Sequence, residues 1–345
     1  MASKLFQTKS PELLIRESEA PDRKMKRSLT AFDLTCLGIG AIIGAGIFAL
    51  AGTAAAGESA RVGESLVKTP VLNFIISWIN HTDLVFGRPA AGPAVALSFV
   101  VAAVACGFAA LCYSELASMI PVSGSAYTYS YATLGEIIAW IIGWDLILEY
   151  AVGNMAVAVG WSGYFVQLLA NVNIRFPLWL VADHTTATTM IAKGGAALSA
   201  YSSTTFPVFM GHPIALDLPA FFIVAAVTIL LIYGIRESAT TNSVIVMIKL
   251  AVVVFVIAFG SFMVNPTHWH PFMPSGFGGV MGGAAIVFFA FIGFDAVSTT
   301  AEETKNPKRD LPIGMIASLV VCTVLYVLMS LVLTGMKKYT DYLGD

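Results

Sequence analysis

Three ionisable side chains stand inside long apolar stretches of this sequence, and each marks a place where chemistry could occur. Lys249 lies eleven residues into the stretch 239–264, within VIVMIKLAVVVF, which is about 16 Å deep at 1.5 Å per residue. Desolvation disfavours the charged form of a buried amine, so such a lysine can load and release a proton, or stand where a bound cation would otherwise sit. The plainer reading is a structural lysine bonded to helix-end carbonyls. Glu149, in WDLILEYAVGN, follows Asp145 by one helical turn. It either lines a polar cavity or forms an intramembrane pair that orders the helices. Asp295 interrupts IVFFAFIGFDAVSTT (286–300), where it either touches a ligand or caps the helix half that follows it.

Glycines accompany this chemistry. Thr35–Leu50 carries Gly38, Gly40, Gly44 and Gly46, and about 250 residues later Gly293 precedes Phe294 and Asp295. The run GIGAIIG has the spacing GxGxxxG and no strand before it, which excludes a dinucleotide fingerprint. Gly40 and Gly44 alone would make a packing face for a neighbouring helix. Glycines and a charge at corresponding depths of two apolar spans instead point to unwound segments around a midplane site. Free N–H groups of Ile43, Gly44, Ala45 and Gly46 at a helix start suit a carboxylate. Carbonyls near Phe289 and Ile292, at the end of a half-helix, suit an ammonium. A solute with both groups is an α-amino acid. Phe289 is the best placed of the phenylalanines to cover its side chain, and Phe294 is another member of that gate.

The elements that must position these groups are membrane helices. Of 345 residues, 57% are hydrophobic and 12% charged, with mean hydropathy +0.80; a soluble chain carries about 25% charged residues. The net charge of −2 gives no sign of a nucleic-acid partner. The four cysteines show no CxxC or Cys/His pattern, so neither a disulfide framework nor a metal site is expected. Residues 1–30 are polar and basic and form no signal peptide.

Seven spans are expected near 31–56, 92–119, 134–168, 219–235, 239–264, 278–303 and 311–335. The third is long enough to bend at Gly153 and Gly160. Long outer loops fill 57–91 and 169–218, and Val71–Ile79 reads as an interfacial helix. Eleven lysines and arginines fall on the N-terminal side against seven on the other, with a cluster at Arg23–Arg27. The N-terminus is therefore expected to be cytoplasmic. The connections 121–131 and 302–314 then lie inside, the latter with a turn signal at Asn306-Pro307 and mixed charges fit for a gate network.

GIGAIIGAGIF, AGPAVALSF with LCYSELASMIPVSGSAYTYSY, WDLILEYAVGN with AVGWSGY, and FIGFDAVSTTAEETKNPKRDLPIG together resemble the amino acid–polyamine–organocation superfamily, closest to bacterial members of its cationic amino acid transporter family. The resemblance implies an all-α polytopic membrane protein with a LeuT-like inverted-repeat fold, in which helices 1 and 6 are broken and helices 1–7 of about twelve are present. On that scheme 1–30 is a cytoplasmic tail, 31–264 the first five-helix repeat, 278–335 the start of the second and 336–345 an outer loop of a chain that would continue. It implies that Gly44, Ala45 and Gly46 hold a substrate carboxylate, carbonyls of Ile42, Phe289 and Ile292 hold the ammonium, and Phe289 occludes the site. Lys249 matches the lysine that replaces sodium in proton-coupled members, and Glu149 a glutamate of the third helix. Ala45 stands where many relatives have serine. The expected activity is import of a cationic or small neutral amino acid across the inner (cytoplasmic) membrane by proton symport, with no cofactor and no sodium. Sodium-coupled or exchange-type amino acid or polyamine transport, and an amino-acid-binding protein or fragment without transport, are the alternatives. No enzyme constellation is present in the sequence.

Overall fold

A computed structural model of the chain describes residues 6–20, 25–44, 46–57, 61–62, 65–66, 89–182, 187, 191, 201–209, 212–233 and 238–342. Ala45 and the segment Val71–Ile79 lie outside these residues. The α-helices are α1 (Pro11–Ser18), α2 (Ala31–Ile42), α3 (Gly46–Ala56), α4 (Val95–Met119), α5 (Ser125–Thr133), α6 (Glu136–Asn171), α7 (Leu218–Tyr233), α8 (Ser238–Ser261), α9 (Gly276–Val287) and α10 (Pro307–Met336). Among the described residues, β structure consists of two antiparallel pairs of two-residue strands and the isolated parallel bridges Leu29–Thr304 and Pro177–Ser203. Arg61 faces Leu66 in one pair, and Val208 faces Pro213 in the other.

The helix ends follow local chemistry. Thr30 opens α2 with a capping box: Asp33 Oδ2 accepts from the Thr30 N–H at 2.9 Å while Thr30 Oγ1 accepts from the Asp33 N–H. Ile43 is extended (φ −76°, ψ 93°), so α2 stops at Ile42. Pro307 sits in the first turn of α10, where its missing N–H costs no helical bond. After α9 the chain tightens into the 3-10 turn Phe288–Phe291 and becomes extended at Ile292. It then turns left-handed at Gly293 (φ 109°) and continues as a 3-10 helix over Phe294–Glu303.

Among the described residues four helical segments are both long and apolar enough to cross a membrane: Gly92–Met119, Asn242–Ser261, Gly276–Glu303 and Pro307–Met336. These answer four of the seven expected spans. The other three are also helical. The stretch 31–56 divides into α2 and α3, and 219–235 is the shorter apolar helix α7. From Glu136 on, the stretch 134–168 is covered by the continuous 36-residue helix α6.

The compact units do not follow the order of the chain. One comprises 1–143 with 239–345, and the other 144–238, so α6 contributes to both. In the first unit α10 packs along α4 and α2, and α9 packs along α4 and α3. Fully buried Phe99, Phe291 and Tyr326 form its centre, with ring centroids 5.1–6.3 Å apart. A second cluster gathers Leu29, Leu34, Ala117, Ile120, Tyr129, Val297 and Met315. The amphipathic logic of α8 is plain: Val246, Lys249 and Val253 are on its inward face, while Ile248, Phe255 and Phe259 are exposed. So large an apolar exterior would drive association in water, and lipid is its natural solvent.

Residues 6–20 and 25–30 are tied to this unit. Ser28 and Leu29 N–H groups donate to the Glu303 carbonyl at 2.8 and 3.0 Å, and the Lys305 N–H donates to the Leu29 carbonyl at 2.9 Å. The Lys9 N–H donates to the Tyr131 carbonyl, and the Ser123 N–H donates to Glu302 Oε1 at 3.0 Å. The tail thereby laces the two connections 121–135 and 302–305.

In the second unit Asp217 caps α7, accepting from the Ala220 N–H at 3.0 Å, and also accepts from Ser162 Oγ on α6. Leu178, Ala182 and Ala187 form a small core against Tyr201 and Phe206.

Several glycines are there for contact. A Cβ on Gly38 would stand 2.5 Å from Ser318 Oγ, and one on Gly40 would stand 2.8 Å from Val246 Cγ2. Gly38→Val is therefore expected to overpack the α2–α10 contact by about 1–3 kcal/mol, read as a lower melting temperature of the detergent-solubilised protein. Gly153→Ala on α6, where nothing lies within 4 Å of the new methyl group, is expected to leave that temperature unchanged or raise it.

Candidate functional site

A helix that ends inside an apolar core leaves up to four carbonyls without intrahelical donors, each costing about 1–3 kcal/mol if buried unpaired. At the end of α2 the carbonyls of Ile39, Gly40 and Ile42 are met. The Ile43 N–H donates to the Ile39 carbonyl at 2.9 Å and the Gly44 N–H to the Ile42 carbonyl at 3.0 Å. Lys249 Nζ reaches across from α8 and donates to the carbonyls of Gly40, at 3.0 Å, and Ile43. The lysine charge thus sits at the negative end of the helix dipole, where it is favoured. Tyr326 on α10 places its hydroxyl oxygen 2.8 Å from the Ile42 carbonyl and 2.8 Å from the Ala290 carbonyl.

The two interruptions lie against each other. A Cβ on Gly293 would meet the Ala41 carbonyl oxygen at 3.0 Å, and one on Gly46 would meet Ala290 Cβ at 2.8 Å. Gly293 adds a positive φ that only glycine adopts without strain. Gly44 differs from these close-packed glycines: it is exposed, and a Cβ there meets nothing within 4 Å. Its peptide borders open space beside the N-terminus of α3, whose first N–H groups carry the positive end of that helix.

The structure therefore brings Ile42, Ile43, Gly44, Gly46, Lys249 and the turn at Ile292–Gly293 to one locality. Ala45 lies outside the described residues. Phe289 is half-buried, and its carbonyl accepts from the Ile292 N–H at 3.3 Å, so a local turn already uses the acceptor expected to stand free.

Phe294 and Asp295 face the 121–131 connection. Phe294 packs edge-on to Tyr113 at 5.8 Å, and Tyr113 packs edge-on to Tyr129 at 5.9 Å. Asp295 is buried and accepts from Ser125 Oγ at 3.2 Å, while its own carbonyl accepts from Ser298 Oγ. Tyr129 is on α5, outside the spans, and burial pushes its phenol up to about 12. It stays neutral at any physiological pH. Glu149 is half-buried on α6 within the second compact unit.

Tyr326 and Ser125 were not singled out by sequence reasoning. The available signal was a lone phenol in VCTVLYVLM and a serine-rich connection, and neither reveals a partner up to 284 residues away.

Comparison with known proteins gives this geometry its context. Residues 29–336 match the family model described as amino acid permease. The chain is 47% identical over 344 residues to the branched-chain amino acid permease BcaP of Bacillus subtilis, covering 100% of this chain and 62% of that protein. It is 42% identical to the methylthioribose transporter of the same organism, covering 99% of this chain and 62% of that protein. It is 35% identical over 322 residues to the vacuolar cationic amino acid transporter 4 of Arabidopsis thaliana, covering 92% of this chain and 44% of that protein. The chain thus spans less than two thirds of the length of these relatives. With its apolar helices and a match over 29–336, the chain belongs to the amino acid permease family, a family of transport proteins and not of enzymes, and is an integral multi-pass membrane protein.

Proposed function

We propose that the protein imports amino acids across the cytoplasmic membrane by proton symport, with its N-terminus in the cytoplasm and alternating access around the interruptions at 43–44 and 292–293. The two interruptions correspond to broken helices 1 and 6 of a LeuT-like inverted repeat. The observation that carries the reading is Lys249, a cation from α8 that holds the Gly40 and Ile43 carbonyls at the end of α2. A protonated amine makes charge-assisted bonds to both carbonyls, and loss of its proton weakens them. Protonation then sets how firmly the end of α2 is tied to α8, and a proton gradient drives that change. With a built-in cation at this position, sodium is not needed.

The substrate's carboxylate is assigned to the first peptide N–H groups of α3, from Gly46 onward, beside Gly44, which borders open space; the Ile43 and Gly44 N–H groups expected to join them already donate to the Ile39 and Ile42 carbonyls. Its ammonium is assigned to the Ile292 carbonyl and to the remaining lone pairs of the Ile42 and Phe289 carbonyls, which already take the Gly44 and Ile292 N–H groups. Phe289 and Phe294 close over a cationic or small neutral side chain, and the Asp295 carboxylate favours a cationic one. Names of relatives point the same way, since two are an amino acid permease and a cationic amino acid transporter. The likeness to a methylthioribose transporter supports a second reading, a cargo with neither charged end. Competition by methylthioribose, with none by amino acids, would select it.

In proteoliposomes with an inward pH gradient and no sodium, labelled amino acid is expected to accumulate, and Lys249→Met is expected to abolish that accumulation while the protein still inserts. Sodium-dependent uptake indifferent to pH, or an unchanged pH response in Lys249→Met, would overturn proton coupling. Gly44→Val adds its side chain to open space, so the fold is expected to keep its melting temperature while amino acid affinity falls at least tenfold. Undiminished affinity would remove Gly44 from the site.

A further inference from the structure

Residues 6–20 and 25–30 lie across both α5 and the 3-10 helix Phe294–Glu303, the half-helix that follows the turn at Gly293. At one end the Phe6 main chain crosses the corner between α5 and α6. A Cβ on Gly135 there would stand 2.7 Å from the Phe6 carbonyl carbon, and Gly135 has φ 100°. Glycine takes that turn without strain while another main chain passes so close. The Lys9 N–H donates at 3.3 Å to the carbonyl of Tyr131, near the end of α5. At the other end the Ser28 and Leu29 N–H groups donate to the Glu303 carbonyl, and the Leu29 carbonyl accepts from the Lys305 N–H. Between these ends α1 buries Leu14 in the cluster that holds Tyr129 of α5 and Val297 and Ala301 of the 3-10 helix. Ile15, Ser18 and Glu19 share with Pro121 and Glu302 a hollow of about 20 Å³, room for one water.

We infer that the N-terminal tail is a strap: it holds α5 against the half-helix after Gly293, and its release lets that half-helix part from α5. The inference rests on the alternating-access reading given above and adds to it a control element outside the spans. Directly, α5 and the half-helix meet through the Ser125 Oγ bond to Asp295 and through Tyr129 in the shared cluster. The tail reinforces this from outside. Each of its main-chain bonds is modest alone, but the three between 28–29 and 303–305 share one short segment and open together. Leu14 is the pin, the buried side chain of α1. Gly293, left-handed at φ 109°, is the pivot. Release of residues 6–20 leaves the capping box of α2 and the packing of α4, α9 and α10 in place. The change is therefore a shift between two arrangements of one fold.

The test follows a cysteine placed at Val297, which is fully buried. Val297→Cys is introduced into the full chain, into a chain lacking residues 1–20 and into Leu14→Asp. Each purified protein is treated in detergent with a water-soluble maleimide, and modified peptides are counted by mass spectrometry over time. Labelling at 297 is expected to be slow in the full chain and roughly tenfold faster in the other two, the change that loss of one well-placed contact gives. Buried Cys106 on α4, away from the strap, serves as the internal control and is expected to react at the same rate in all three. Equal labelling at 297 in all three proteins, or an equal acceleration at Cys106, would overturn the strap and leave alternating access intact. A full chain that accumulates no amino acid in proteoliposomes would remove the alternating-access reading and this inference with it.

Discussion

A helix that stops within an apolar interior exposes carbonyl dipoles that water cannot reach, and the rest of this molecule is arranged around meeting them. At the end of α2 one cation and one phenol do so from two other helices, Lys249 from α8 and Tyr326 from α10. Each donor is held by apolar packing: Val246 and Val253 are buried on the inward face of α8, and Phe99 and Phe291 hold the Tyr326 ring. Removing either donor leaves buried acceptors unpaired, a larger penalty than the net gain of an ordinary hydrogen bond. Polar and apolar contacts are therefore one design here, since the packing gives the donors their aim.

The glycines divide this work among themselves. Gly38 and Gly40 let α2 come close to α10 and α8, Gly46 lets α3 come close to Ala290, and Gly293 both reverses the chain and touches the end of α2. Gly44 alone of the first-span glycines borders open space. A single composition signal, glycine in an apolar run, thus covers close helix packing, a left-handed turn and an accessible peptide. Periodicity gives no means of separating these, because they differ only in what stands opposite.

Apolar runs were legible in the sequence because helix length and membrane thickness constrain them together. The expected 92–119 coincides with Gly92–Met119, and 278–303 and 311–335 lie within four residues of Gly276–Glu303 and Pro307–Met336. The family was equally legible, from long ordered motifs such as FIGFDAVSTTAEETKNPKRDLPIG. Pairings across the fold were not. Nothing near Ser125 in the chain announces Asp295, and nothing near Tyr326 announces Ile42. Such contacts depend on how helices distant in sequence rotate against one another, and a single chain carries no record of it.

The main-chain ladder between 28–29 and 303–305 couples two feet of the bundle. Neither can swing outward alone without breaking three bonds at once, so the start of α2 and the approach to α10 move as a pair or come apart in one cooperative event. The hydrogens on those peptide nitrogens trade with solvent deuterium only when the ladder opens, which makes them a built-in clock for the opening of that end.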